Sequence, residues 1–334
     1  MRSIFLRDYS GFSIGISCAL LLSMDYNKKL KVLWAVDALD HYPAVMKKIA
    51  DTLLVLRKSL DLEISPVFVL SPEQLGLSID LDSIKEADPF HEGAQRALKQ
   101  CLEGFEHLGI LKPEILVEHR SSVKSSVLRL VEYADKNSFD LVITGTHGKR
   151  GFERMMIGSF TEVLMLTSKK PVLVVGGESK IDPSFSNILV PSDLKGDYEG
   201  FYKSVMGLAK KLGANITALA AVPRPVDAII QSGTYLFSGG WVSLSLFSKN
   251  QIAHQEAKIK SVKVLADSLG VRCETVVDHQ CLGAEDSILA HAKNGKASLI
   301  VMESQSGLLA TTLLGSVTRQ VVRDAPCPVL VVKH

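Results

Sequence analysis

The pentapeptide Pro-Val-Leu-Val-Val occurs twice in this chain, at residues 171–175 and again at 328–332. It is the last of a series of echoes. Val32 to Asp37 is answered by Ile188 to Asp193, an apolar run ending in an acid both times. Leu141-Val142-Ile143 is answered by Leu299-Ile300-Val301, and Val117-Glu118-His119 by Val277-Asp278-His279. Echoes in the same order mean that one unit has been used twice. With 334 residues to share, each copy has the length of an ordinary domain with a core of its own.

Within the first copy, short apolar runs alternate with amphipathic stretches. Lys31 to Asp37 reads as a buried parallel strand, followed by Asp40 as a helix cap and Pro43 at the start of a helix to about Lys58. Leu62–Leu70 reads as a strand, Ser71–Asp88 as a long polar loop and Pro89–Leu108 as a helix. Strand Glu114–His119, helix Ser122–Lys136, strand Asp140–Thr144, helix Ser159–Thr167 and strand Pro171–Val175 complete the copy. Such alternation predicts a parallel sheet with helices on both faces. Gly176 to Lys180 and Asp182-Pro183-Ser184 break the pattern. The expected units are therefore residues 28–176 and 187–334, joined by a linker at 177–186 and preceded by an extension at 1–27. In that extension Gly11 to Met24 is an apolar run, shorter than the roughly 20 residues a membrane helix needs. A signal-peptide core and a true start at Met24 are both open there, although Asp8 in the flank speaks against the former.

The fourth apolar run of the first copy opens into Gly145-Thr146-His147-Gly148, a basic stretch with Lys149, Arg150 and Arg154, and then Gly158-Ser159 at the mouth of a helix. Glycine lets a backbone approach a phosphate, and the first N–H groups of a helix point at it, so this is a candidate anion cradle. The second copy differs at this place. Aligning the fourth strands sets Glu303 against Gly145 and Ser306 against Gly148, with Gly315-Ser316 in place of Gly158-Ser159. At about 4 Å a carboxylate beside a phosphate costs on the order of 1 to 4 kcal/mol, which predicts a degenerate second site.

The spacing G-x2-G-x9-G-S after a fourth strand, with an acid closing the first, resembles the universal stress protein family. The resemblance covers nearly all of the chain beyond about residue 28, as two tandem modules. It implies two doubly wound five-stranded parallel sheets of the adenine-nucleotide α-hydrolase-like class, with strand order 3-2-1-4-5, that associate through their fifth strands into an internal pseudo-dimer. It also implies ATP as ligand, with Mg2+ as its companion. By position, Asp37 falls at the adenosine end and the backbone of Val69 at the adenine. Gly145 and Gly148 pass the ribose and phosphates, and Gly158, Ser159 and Thr161 meet phosphate oxygens. In the second copy only Asp193, Gly315, Ser316 and Thr318 of this pattern remain.

Plainer readings stand beside these. The two early glycines could serve a tight turn alone, and Asp37 and Asp193 could cap the first helix of each copy. His147 could face solvent, and His119 and His279, at equivalent strand ends, read as structural. Ser238-Gly239-Gly240 lies inside the long segment Pro223–Ser248, whose Tyr235, Phe237, Trp241 and Phe247 could form a partner surface, a lid or a flap over the core. Neither first strand is followed by G-x-x-x-x-G-K-[ST] or G-x-G-x-x-G, against a P-loop or dinucleotide enzyme. No general base or nucleophile stands beside the cradle, so at most slow ATP hydrolysis is expected. Formal net charge is +2, which predicts no nucleic-acid partner, and no span predicts a membrane protein. Five scattered cysteines without a C-x2-C pair fit a reducing compartment, the cytoplasm. The expectation is an ATP-binding stress-response regulator with one site in the first copy. Its second copy is kept for structure or for contacts with protein partners or a homodimer. The alternative is an interaction scaffold whose cradle is vestigial.

Overall fold

The computed structural model describes residues 26–39, 42–72, 74–75, 88–146, 158–224, 234–235, 241–242, 244–304 and 314–333. The first half comprises β1 (Leu30–Ala35), α1 (Pro43–Arg57), β2 (Leu62–Leu70), α2 (Asp88–Leu102), β3 (Glu114–Val117), α3 (Val123–Lys136), β4 (Leu141–Gly145), α4 (Ser159–Thr167) and β5 (Val172–Val175). The second comprises β6 (Asn187–Pro191), α5 (Tyr198–Leu212), β7 (Asn215–Ala221), β10 (Cys273–Asp278), α7 (Ala284–Asn294), β11 (Leu299–Ser304), α8 (Ser316–Asp324) and β12 (Val329–Lys333). Between β7 and β10 lie the short pair β8 (Thr234–Tyr235) and β9 (Trp241–Val242) and the helix α6 (Leu244–Leu269). Most of the segment that carries the exposed-aromatic expectation, including Ser238-Gly239-Gly240, lies outside the described residues.

The strands are apolar almost throughout because helices cover both faces of the sheet. In β2 every residue but Glu63 is buried. Alternation then divides the core in two. Val32 and Trp34 enter one hydrophobic layer with Phe68, Phe185 and Tyr202, while Leu33 enters the other with Val142 and Leu164. Helix starts follow local chemistry. Ser122 caps α3 by accepting the Ser125 N–H at 3.0 Å, and Asp197 caps α5 by accepting that of Gly200 at 3.0 Å. Helix α1 begins instead on Pro43 with Tyr42 before it and no side-chain cap; the expected cap, Asp40, lies outside the described residues. The helix expected to reach Leu108 stops at Leu102. A single 3-10 turn, Glu106–Leu108, follows and is closed by Gly109 at φ 53°.

Among the described residues ten long strands lie in one sheet, in the order β10-β7-β6-β11-β12-β5-β4-β1-β2-β3. Each half therefore has the expected order 3-2-1-4-5, every pair within a half being parallel. The halves meet at β5 and β12, which pair antiparallel with Leu173 opposite Leu330. The two echoing pentapeptides thus face each other, and both hydrophobic layers run on through the junction. Residues 177–186 are anchored rather than loose. Ser179 accepts the Gly176 N–H, the Lys180 N–H reaches Pro326, and Phe185 is wholly buried in a left-handed backbone conformation at φ 46°.

One expected equivalence fails. Val67 pairs with Glu114 in the first half, whereas its counterpart Leu219 pairs with Val276 in the second. His279 therefore matches Val117 rather than His119. A slip of two residues keeps each side chain on its own face, so the hydrophobic pattern could not reveal it.

Candidate functional site

In an open α/β sheet the crevice forms at the carboxyl ends of the strands, where the strand order reverses. Here those points lie between β1 and β4 and between β6 and β11. A cleft occupies each. The first is lined by Asp37, Val69, Gly145, Gly158 and Thr161, among others, and the second by Asp193, Ala221, Glu303, Gly315 and Thr318. Five of the expected site residues are thus brought together. Ser159 stands between two of them as the first residue of α4. Gly148, with His147, Lys149, Arg150 and Arg154, lies outside the described residues.

Val69 shows how the sheet builds one wall. The Val67 carbonyl accepts the Val36 N–H at 2.9 Å, and the Leu70 carbonyl accepts that of Glu118 at 2.9 Å. Successive residues of β2 thus address β1 and β3 in turn. Val69 falls on the β1 side, beyond Ala35, where β1 has ended. Its main-chain donor and acceptor are directed at the crevice. Asp37 enters from the end of β1, and its carboxylate accepts the Leu39 N–H at 3.2 Å in a local turn. Asp193 makes the same turn with Lys195 at 3.0 Å. Neither caps a helix: α1 starts after Tyr42, and α5 takes its cap from Asp197.

The opposite wall is the start of α4. Gly158 precedes it with φ −53° and ψ 135°, and among the described residues no side chain caps the helix. The N–H groups of Ser159, Phe160 and Thr161 precede the first helical bond, Glu162 N–H to the Gly158 carbonyl at 3.1 Å, so the positive end of the helix faces the cleft. Among the described residues no atom lies within 4 Å of a Cβ built at position 158. Thr161 is buried, and its hydroxyl donates to the Gly145 carbonyl at 3.2 Å. The hydroxyl is committed to the strand, and the main chain is what this residue offers an anion.

Gly145 has a packing reason of its own. A Cβ built there would lie 2.5 Å from Val45 Cγ1 and 3.4 Å from Ile49 Cδ1, so α1 presses on the end of β4. The register places Glu303 at the matching position, since Gly145 pairs with Val175 and Glu303 with Val332. Helices α1 and α5 are both 15 residues long, and superposed end to end they set Gly200 against Val45 and Ser204 against Ile49. The second half has exchanged small for large on the strand and large for small on the helix. Glu303 is half-buried, and its charge adds to the burial that pushes the Tyr202 phenol well up from its usual range.

One residue of the first cleft carried no signal in the sequence. Gln74 lies in the stretch read as a polar loop, yet it lines the cleft, and its Oε1 is buried without a hydrogen-bond partner. A tight turn holds it there: the Leu75 N–H bonds back to Ser71 at 3.3 Å and Pro72 at 3.1 Å, while the Leu75 side chain packs on the core.

Comparison with known proteins gives one answer. The pattern of the universal stress protein family matches residues 30–176 and again 184–333. A universal stress protein of Methanocaldococcus jannaschii is 31% identical over 121 residues, which is 36% of this chain and 68% of that protein. The crystal structure of a universal stress protein from Archaeoglobus fulgidus superposes with a TM-score of 0.62 at 18% identity, covering 91% of this chain and 98% of that one.

Proposed function

Because the chain belongs to the universal stress protein family, twice over, we propose that it is an ATP-binding regulator with one nucleotide site, in the cleft between β1 and β4. The observation that carries this reading is the difference between two clefts of the same design. Both keep the acid at the end of the first strand and an uncapped helix start. Only the first has glycine where the second has Glu303. Adenine would take the Val69 main-chain edge, ribose would lie by Asp37, and the phosphates would take Gly145, Gly148 and the N–H groups of Ser159 and Thr161. Among the described residues no group of three His, Cys, Asp or Glu is placed to hold a metal, so any Mg2+ would arrive with the triphosphate.

No described side chain in the cleft is placed as a general base, and binding rather than turnover is the proposed role. Binding would set contacts with protein partners or a second copy of the chain. The two halves, joined through β5 and β12, would act as an internal pseudo-dimer in which the second supplies structure or partner surface. The free thiols Cys101, Cys273, Cys281 and Cys327 agree with a reducing compartment such as the cytoplasm. Among the described residues no helix is long and apolar enough to cross a membrane. Isothermal titration should give one ATP per chain, abolished in Gly148→Glu. Two equivalents, or unchanged binding in that variant, would overturn the site. No shift in melting temperature at millimolar ATP would favour the scaffold instead.

A further inference from the structure

The ten-stranded sheet ends in two edges, β3 on one side and β10 on the other. An edge strand turns half of its main-chain groups away from its neighbour, and that row is a template for another strand. On β10 the carbonyls of Arg272 and Asp278 accept the N–H groups of Ile216 and Val222 at 2.9 and 2.8 Å. By alternation Cys273, Thr275 and Val277 direct their N–H and carbonyl groups away from β7. Among the described residues no hydrogen bond engages these outward groups. The two edges are unequally guarded. Strand β3 has only four residues, follows Lys112-Pro113 and is flanked by acids at Glu114 and Glu118. Shortness, proline and charge are what keep a sheet from growing. Strand β10 has six residues and contains neither proline nor lysine. Its centre, Thr275-Val276-Val277, is β-branched throughout and half-buried.

Charge decides what can add to β10. A second β10, laid antiparallel about a two-fold axis at Thr275, sets Thr275 opposite its own copy and Cys273 opposite Val277. Every outward donor then meets an outward acceptor. The same register sets the exposed Arg272 opposite Asp278 at both ends of the pair, a favourable cross-strand match. Asp278 takes its hydrogen bonds from neutral donors, the Ser287 hydroxyl and the Gln280 N–H, with His291 Nδ1 3.9 Å away. Slipping the pair by two residues one way sets Glu274 opposite Asp278, and the other way opposite its own copy. Both slips place like charges together, so one register stands out. Two β3 strands fare worse. With Ile115 opposite Val117, Glu114 falls opposite Glu118 at both ends. A β3-to-β10 contact would leave free edges and add chains without closing.

We propose that β10 is the docking edge for a second copy of this chain, joined antiparallel about Thr275 so that two sheets become one. This gives a surface to the second-copy contact of the proposed function and rests on that part of it alone, not on the ATP site. Sedimentation velocity of the full-length protein without nucleotide, over a concentration series, reads the association. Hydrogen exchange at high and low concentration locates it. Wild-type protein should show a monomer–dimer equilibrium, with the amides of Cys273, Thr275 and Val277 slowed at high concentration. Arg272→Glu, a change at an exposed side chain, should raise the dimer dissociation constant roughly tenfold. In Thr275→Pro the lost N–H points away from β7, so the ladder within the chain is kept and the dimer should be lost. A chain that is monomeric at every concentration, an unchanged dissociation constant in Arg272→Glu, slowed exchange confined to another surface, or growth past the dimer would overturn the docking edge. Each would leave the nucleotide cleft standing. Failure of wild-type protein to bind ATP, titrated separately, would remove that cleft and leave this edge untouched.

Discussion

The Thr161 hydroxyl donates to the carbonyl of Gly145 at 3.2 Å, tying the first turn of α4 to the last residue of β4 across the floor of the cleft. Both ends are buried, so a carbonyl that loses this donor is left poorly solvated. In Thr161→Val the volume is kept and the donor is lost. The expected cost is about 1–3 kcal/mol in a urea melt, from an unsatisfied buried carbonyl. ATP affinity should fall as well, since the helix start loses its fixed distance from the strand. A variant that melts as wild type would show that the bond does not position the helix.

Gly145 should resist substitution for reasons unrelated to any ligand. A Cβ there meets Val45 Cγ1 at 2.5 Å, so Gly145→Ala is expected to destabilise by about 1–3 kcal/mol through overpacking. Val45→Gly should restore much of that loss when added to Gly145→Ala, because the second half has Gly200 at the matching helix position where its strand carries Glu303. A double-mutant cycle by chemical denaturation measures the coupling. Additive effects would disprove the small-for-large exchange.

The junction between halves predicts a single unfolding transition. Phe185 sits wholly buried in the hydrophobic layer common to both halves, and Phe185→Ala should cost about 3–5 kcal/mol. The ion pair of Arg319 on α8 with Glu162 on α4 crosses the same junction but is partly exposed, and Glu162→Gln should cost less than about 1 kcal/mol. Calorimetry of Phe185→Ala should show both halves melting together at a lower temperature. Two separated transitions would mean that the halves are independent.

Acid sensitivity should come partly from Asp278 at the end of β10. Burial pushes its carboxyl up, but the Ser287 hydroxyl at 2.5 Å and the Gln280 N–H at 3.0 Å, together with the nearby His291 and the Cys281 backbone, hold it below the usual carboxylate range. A folded-state value below the unfolded one stabilises the protein above the unfolded pKa, about 4, and that contribution is lost as pH falls through the folded value. Asp278→Asn should therefore be less stable at neutral pH and show a shallower loss of stability below about pH 4. Parallel curves for variant and wild type would refute the assignment.

Much of this architecture was readable because repetition and alternation are long-range patterns that survive local noise. The pentapeptide at 171–175 located both fifth strands, and the buried runs located the others. The strand order came from the family resemblance, since alternation alone does not say which strand lies beside which. What stayed hidden depended on contacts across the fold. Nothing near Gly145 in the chain announces Val45, a hundred positions earlier. The two-residue slip of β10 preserved every inward and outward assignment, and so the pairing of His119 with His279 looked sound. Gln74 was invisible for the opposite reason: a glutamine among loop residues looks solvated until a turn folds it inward.

The antiparallel pairing of β5 with β12 sets the direction of everything on either side. Because strands run one way in the first half and the other way in the second, their carboxyl ends emerge at opposite rims of the common sheet. The cleft with glycine and the cleft with Glu303 therefore look away from each other. The molecule is a plate with two unlike poles, and a ligand at one pole has no direct line to the other. Any message between them has to cross the junction, where the rungs that join Leu173 to Leu330 and the Arg319–Glu162 pair between helices tie the halves together.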